Sequence, residues 1–334
     1  MRLLFVPTIN PDCQNDLLEV SILHGLRSIL GKDCVDYPRK KILYHDFSDS
    51  PKDSLHGRGF SLLTEPIQDL SEEERDLSSF DAVLYGCGHM YGESGITEYN
   101  SLVKGRQVWV LDGHDLHGDA PRKIKIKEGD NEIEVIGVQF RKSFKRELVE
   151  KITDVYPTGF GIPKHRIRPI RLPGKDQLFQ KTAPDNALFK EVTDIGGGHA
   201  HHTFTEEEEY YDDLSRSWFG LTCKKGGWDC LRHYEIIAAG TVLLFKDYDL
   251  KPPTCSPQLL PCLSYSSKEE LDAIVNRLVI NNLPTGEYNM LLQKQRQWLD
   301  SVGTTEARAA HIIKTMTKEI NRKTKFITPH NNIK

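Results

Sequence analysis

Arg232 and Glu235 stand three residues apart on a short apolar helix that opens from a Gly-Gly turn. Together they have the chemistry to hold a nucleoside diphosphate. Helix N-termini attract anions through free N–H groups and the helix dipole, by about 0.3–1 kcal/mol. Arg232, in the first turn, can add a charge-assisted hydrogen bond to a phosphate, worth about 1.5–3 kcal/mol. Glu235, one turn on, can accept two hydroxyl hydrogen bonds, as a carboxylate does from a ribose. Spacing alone leaves a second reading open, a surface helix with an Arg–Glu ion pair, because side chains three apart pair readily.

The surrounding segment reads as strand, turn, helix, strand. Trp218 to Thr222 is a short apolar run, broken by Lys224, Lys225, Gly226 and Gly227, where glycine is expected to supply positive φ. Asp229 is expected to cap the helix Cys230 to Ala239, whose Leu231, Tyr234, Ile237 and Ala238 recur at helical spacing. Gly240 ends it, and Thr241 to Phe245 has the length and apolarity of a strand covered on both faces.

The run from Arg232 to Val242, followed by Phe245, Asp247 and Pro252-Pro253, resembles the R-x-x-E-x-x-x-x-G-x-x-P segment of GT-B nucleotide-sugar glycosyltransferases. It is most similar to exostosin-like enzymes and to short viral and microbial glycosyltransferases. The resemblance implies that Glu235 contacts the donor ribose and Arg232 the diphosphate. It draws Lys224, Lys225, Gly226, Gly227, Asp229 and the His199 loop into one donor pocket. Val242 to Leu244 lacks the proline usual after the glycine, and Gly227 stands where many retaining members carry a glutamate. Inversion and retention both stay open.

In open parallel sheets ligands bind beyond the carboxyl ends of the strands. There the chain places Asp12 and Asp16 after its first strand, Gly86, Gly88, His89 and Tyr91 after the third, and His114 and Asp115 after the fourth. Deprotonating an acceptor hydroxyl needs a carboxylate or an imidazole. The GT-B resemblance makes His114 and Asp115 the first candidates for catalysis and Asp12 and Asp16 the second; the competing reading is that Asp112 and Asp115 cap a loop. Two metal-like patterns compete less well. His199, His201 and His202 have no cysteine or carboxylate at ligand spacing, and Asp247-Tyr248-Asp249 spells D-x-D away from the setting in which that motif holds a metal. No metal or other cofactor is expected; the nucleoside-diphosphate sugar is itself the donor substrate.

These side chains need elements to hold them. Arg2 to Val6, Cys34 to Tyr37, Ala82 to Tyr85 and Val108 to Leu111 read as strands, with helices over Asp16 to Leu30 and near Thr97 to Val103. Such alternation implies a parallel sheet with right-handed crossovers. Residues 38 to 79 look irregular. Lys123 to Phe140 carries a hairpin signal, Phe144 to Ile152 reads as a helix, and Tyr156 to Pro163 is Pro/Gly-rich enough to link two domains. The basic run Lys164, His165, Arg166, Arg168 and Arg171 follows it. Further on, Leu188 to Val192 and Gln258 to Leu263 read as strands. Thr205 is expected to cap a helix to Leu214 and Ser267 one to Leu278, with helices over Tyr288 to Leu299 and Thr305 to Ile320 last.

The expected fold is therefore α/β of the GT-B kind, two Rossmann-like domains facing a cleft, with C-terminal helices. The first, 1–155, would hold the acceptor; the second, 156–270, the donor; helices in 271–334 would cross back to the first domain. With 334 residues the chain can build two cores. A net charge of −4 disfavours nucleic-acid partners, and seven cysteines without C-x-x-C point to a reducing, cytoplasmic setting rather than a disulfide scaffold. No apolar run is long enough to span a bilayer. The partners expected are a nucleotide-sugar donor and a glycan or other hydroxyl acceptor. The alternatives are a noncatalytic nucleotide-sugar binding module and a nucleic-acid base glucosyltransferase.

Overall fold

The computed structural model describes residues 1–7, 16–44, 55–63, 66–87, 107–115, 125–128, 131–134, 142–184, 188–189 and 203–327. Six strands make the first sheet: β1 (Leu3–Val6), β2 (Cys34–Asp36), β3 (Ala82–Cys87), β4 (Val108–Asp112), β7 (Lys142–Lys145) and β8 (Val155–Pro157). They lie in the order β2-β1-β3-β4-β7-β8, every pair parallel. Between β4 and β7, β5 (Lys125–Glu128) and β6 (Asn131–Glu134) form a separate antiparallel pair, the hairpin read from sequence. Leu3 to Val6 and Val108 to Leu111 are buried throughout, as a sheet covered on both faces requires. Helix α1 (Leu17–Leu30) begins where the Asp16 carboxylate accepts the Glu19 N–H at 2.9 Å and ends at Gly31, φ 55°.

The second sheet, ordered β12-β11-β10-β9, is also parallel: β9 (Gln177–Phe179), β10 (Ser217–Cys223), β11 (Val242–Lys246) and β12 (Leu263–Tyr265). Helices α2 (Glu207–Arg216), α3 (Leu231–Ala238), α4 (Lys268–Leu278) and α5 (Gly286–Trp298) accompany it, with a short hairpin of β13 (Val279–Ile280) and β14 (Leu283–Pro284) after α4. The last helix, α6 (Thr305–Ile327), returns to the first sheet. Its Ala309, Ile312 and Met316 are buried in one core with Leu18, Ile22, Trp109 and Phe144. A Cβ at Gly25 of α1 would lie 2.0 Å from the Thr305 carbonyl oxygen, so the two helices touch backbone to backbone there. Two parallel sheets joined by a returning C-terminal helix are the layout that the GT-B resemblance implied.

Several local readings fail. Phe144 to Ile152 is not a helix; Lys142–Lys145 is a strand, because Phe144 stacks on Trp109 (5.4 Å) and packs at a tilt against Tyr156 (5.8 Å) across the sheet. Gln258 to Leu263 is not a strand. Leu259 sits at φ 55° and is 88% exposed, and pairing starts only at Leu263. Leu188 and Phe189 are helical, and the strand beside β10 is Gln177–Phe179 instead. Thr205 does not cap α2; its cap position is Glu206, with no side-chain hydrogen bond. The helix near Thr97 to Val103 lies outside the described residues. Ser267 does cap α4, accepting the Glu270 N–H at 3.2 Å.

Candidate donor and acceptor site

Strand β10 runs parallel to β11, Phe219 opposite Val242 and Cys223 opposite Lys246, with α3 as the crossover between them. The helix lies close on its strand: a Cβ at Gly220 would fall 2.3 Å from Ile236 Cγ2. Apolar residues of α3 fill the core, and Gly240 ends it at φ 80°. This leaves Arg232 and Glu235 on the face turned toward α2 and the first domain. Both are held in low-dielectric surroundings.

Glu235 is 7% exposed and receives two hydroxyl protons, from Ser61 Oγ at 2.5 Å to Oε1 and from Tyr210 OH at 2.7 Å to Oε2. Burial raises its carboxyl pKa, against the two hydroxyl hydrogen bonds and the Arg232 charge, which lower it. Arg232 is half-buried, and its side chain makes no hydrogen bond or ion pair among the described residues. Burial opposes its charge, while the acidic groups of Cys230, Tyr210 and Glu235 raise its pKa overall. Beside it the fully buried His233 has neither ring nitrogen hydrogen-bonded among the described residues; burial, then Arg232 and Arg146, push its pKa down to about 3. That imidazole is neutral and packs on Phe245, 4.8 Å between centroids.

The turn from Lys224 to Asp229 meets the first domain. Gly226 and Gly227 do not carry positive φ; close approach is what requires them. A Cβ at Gly226 would stand 2.4 Å from Asp115 Oδ2, and one at Gly227 would stand 2.3 Å from Glu147 Oε1. The fully buried Glu147 accepts the N–H groups of Trp228 and Asp229, each at 3.0 Å. A protein carboxylate thus takes the N–H pair that leads into α3. Lys224 and Lys225 are exposed, with Lys224 Nζ 5.3 Å from the Trp228 ring centroid. Asp229 does not cap α3. Its buried carboxylate accepts the Phe160 N–H and the Tyr234 hydroxyl, both at 2.8 Å, and pins the interdomain segment instead. Burial raises its pKa.

On the first-domain side, the loop after β4 lies against that turn. Asp115 pairs with Arg146, whose guanidinium also donates to the carbonyls of Gly113 (3.0 Å) and Asp229 (2.8 Å). The His114 N–H donates to Asp112 Oδ1 at 2.9 Å. A Cβ at Gly113 would lie 3.7 Å from Asp16 Oδ1, so Asp16, His114 and Asp115 share one neighbourhood with the Gly-Gly turn. Asp12 and His199 lie outside the described residues. Sequence reasoning missed Ser61, Tyr210, Arg146 and Glu147, and also Glu19, which is 1% exposed, paired to Lys40 at 2.7 Å and packed against Gly86. Partners far apart in the chain define all five, and no local spacing marks them.

In the D-x-D, Asp247 pairs with Lys246 and the Asp249 N–H reaches Ser264 Oγ at 3.3 Å. Three or more potential ligands do not cluster at metal distance among the described residues. His165, Arg166, Arg168 and Arg171 line a cavity of about 380 Å³, where Arg168 is neutralised by Glu208 (2.5 Å) and Asp212 (2.7 Å). No helix among the described residues is long and apolar enough to cross a membrane.

No family model and no curated protein matches the chain. Among solved structures it is similar to the trehalose-6-phosphate synthase OtsA, at 11% identity and a TM-score of 0.44, over 96% of this chain and 99% of that one. It is similar to the spinosyn rhamnosyltransferase SpnG complexed with thymidine diphosphate, at 10% identity and a TM-score of 0.37, over 95% of this chain and 100% of that one. A GtfA/B complex matches 72% of this chain at 11% identity and a TM-score of 0.40, and the match spans 57% of that longer chain.

Proposed function

We propose that this chain is a glycosyltransferase that moves a sugar from a nucleoside-diphosphate sugar to a glycan or other hydroxyl acceptor. The supporting observation is the pair on α3. Arg232 is a half-buried cation whose side chain makes no hydrogen bond or ion pair among the described residues, and one turn away Glu235 binds two hydroxyls at once. A diphosphate would pair with the first, and ribose hydroxyls could take the place of a protein hydroxyl on the second. Residues 1–155 would hold the acceptor, 156–270 the donor, and the helices of 271–334 would brace the two.

In this reading the acceptor oxygen attacks the anomeric carbon as the bond to the diphosphate breaks. The negative charge left on the diphosphate falls to Arg232. The acceptor proton falls to His114, because Arg146 already engages Asp115; Asp16, and Asp12 in the same loop, come second. Turnover proceeds without a divalent metal, because Lys246 holds the Asp247 carboxylate that a D-x-D site would need. Free thiols at Cys34, Cys223, Cys230, Cys255 and Cys262 support a reducing, cytoplasmic setting. A thermal-shift panel of nucleoside diphosphates and their sugars tests the reading, since a ligand at 100 times its Kd stabilises by about 2.7 kcal/mol. A flat panel across all bases would contradict it.

A further inference from the structure

A first-domain segment already sits where this reading puts the ribose. Residues 55–63 leave the first core, in which Leu62 is buried, and send Phe60 into the second core, where it stacks on Tyr210 at 6.0 Å. Between them Ser61 makes three contacts with the donor domain. Its hydroxyl donates to Glu235 Oε1 at 2.5 Å, lies 2.8 Å from Tyr211 OH, and its N–H donates to Glu207 Oε1 at 2.5 Å. Arg166 holds the other oxygen of Glu207 at 3.4 Å, so the receiving side is itself braced. Arg58 and Ser61 both sit at positive φ, 53° and 72°, a region that L side chains enter only when their surroundings compel it.

We propose that Ser61 is a built-in competitor of the donor. Its hydroxyl stands in for a ribose hydroxyl on Glu235, and a nucleoside diphosphate binds by displacing the 55–63 segment. The inference rests on the proposed donor site and adds regulation to it. Tyr210 engages Oε2 of Glu235 and Ser61 engages Oε1, so a ribose seated on the Oε1 side meets the space that Ser61 now fills. The left-handed backbone at Arg58 and Ser61 favours release once that contact is lost. Apparent affinity is then the intrinsic affinity scaled by the fraction of molecules with the segment withdrawn.

The test is calorimetric titration of wild type, Ser61→Ala and Ser61→Gly with uridine, guanosine and thymidine diphosphates in turn. Hydrogen exchange of the peptide covering 55–63 is followed with and without nucleotide. The proposal expects both variants to bind about tenfold tighter than wild type, equivalent to about 1.4 kcal/mol. It also expects nucleotide to speed exchange of the Ser61 segment in wild type. Glycine, which tolerates the backbone angle, serves as the check that any effect of alanine comes from the lost hydroxyl. Equal or weaker binding by both variants, with exchange unchanged by nucleotide, overturns the competitor while leaving the donor site standing. No binding of any diphosphate to any form overturns both.

Discussion

Gly227→Ala tests how α3 is held. The new methyl would lie 2.3 Å from Glu147 Oε1 and 2.6 Å from its Cδ, so the carboxylate must move. Glu147 is fully buried and is bound by the Trp228 and Asp229 N–H groups at 3.0 Å, by Arg146 Nη1 at 3.2 Å and by the Cys255 thiol at 3.3 Å. Each hydrogen bond to a charged group is worth about 1.5–3 kcal/mol, and disrupting a buried ionic arrangement typically costs about 3–5 kcal/mol. The expected loss is therefore about 3 kcal/mol or more, read as a lower urea midpoint with unchanged slope. Gly226→Ala is the control. Its methyl meets Asp115 Oδ2 at 2.4 Å, but that side chain is partly exposed and can turn Oδ2 away while Oδ1 stays on Arg146, so the loss should stay below about 1 kcal/mol. In a Glu147→Ala background, Gly227→Ala should also cost less than about 1 kcal/mol, because its tightest clash is gone and only the Asp115 carboxylate, at 2.9 Å, has to give. A Gly227→Ala cost that is small in wild type, or unchanged by removing Glu147, would refute the close-approach account.

Three further outcomes follow from the site and its support. Burial lowers the pKa of Lys175 from 10.5 to about 7, with Nζ donating to the carbonyls of Ser215 and Ser217 and to Thr241 Oγ1 and touching no carboxylate among the described residues. Between about pH 7 and 10.5 the unfolded chain then binds a proton that the fold does not, so stability rises with pH by up to about 1.4 kcal/mol per unit. Lys175→Met should remove that slope in denaturation measured at pH 7, 8 and 9, and parallel wild-type and variant curves would contradict it. His114→Ala should lower kcat by about 10²–10⁴ with donor affinity retained, and a dead Asp16→Ala beside an active His114→Ala would move the base to the first loop. Transfer should persist in excess chelator, and its complete, metal-reversible loss would reassign Asp247 and Asp249.

Much of α3 was legible because its signals are local. Apolar residues at helical spacing, the glycine at 240 and the apolar runs on either side point to one crossover, and β10, α3 and β11 occupy it. Where a residue's role depends on a distant partner, local reading went astray. Gly226 and Gly227 read as a turn needing unusual φ, but the first domain pressing on them is the reason for both. Asp229 looked like a cap and instead serves Phe160, 69 residues away. Ser61 carried no signal at all, since its bond to Glu235 closes a gap of 174 residues. Lys142–Lys145 failed for a related cause: its polar, lysine-flanked run hides a strand that only the aromatic packing on Trp109 and Tyr156 reveals.

The central claim is that one nucleoside diphosphate binds with its phosphates at Arg232 and its ribose at Glu235. Isothermal calorimetry of the diphosphate that scores best in the thermal panel, against wild type, Arg232→Ala and Glu235→Ala, measures it most directly. Arg232→Ala should weaken binding by about 1.5–3 kcal/mol, the worth of a charge-assisted hydrogen bond. Glu235→Ala should weaken the diphosphate too, yet leave inorganic pyrophosphate, which has no ribose, bound as in wild type. Affinities unchanged in both variants would contradict the site and the function built on it.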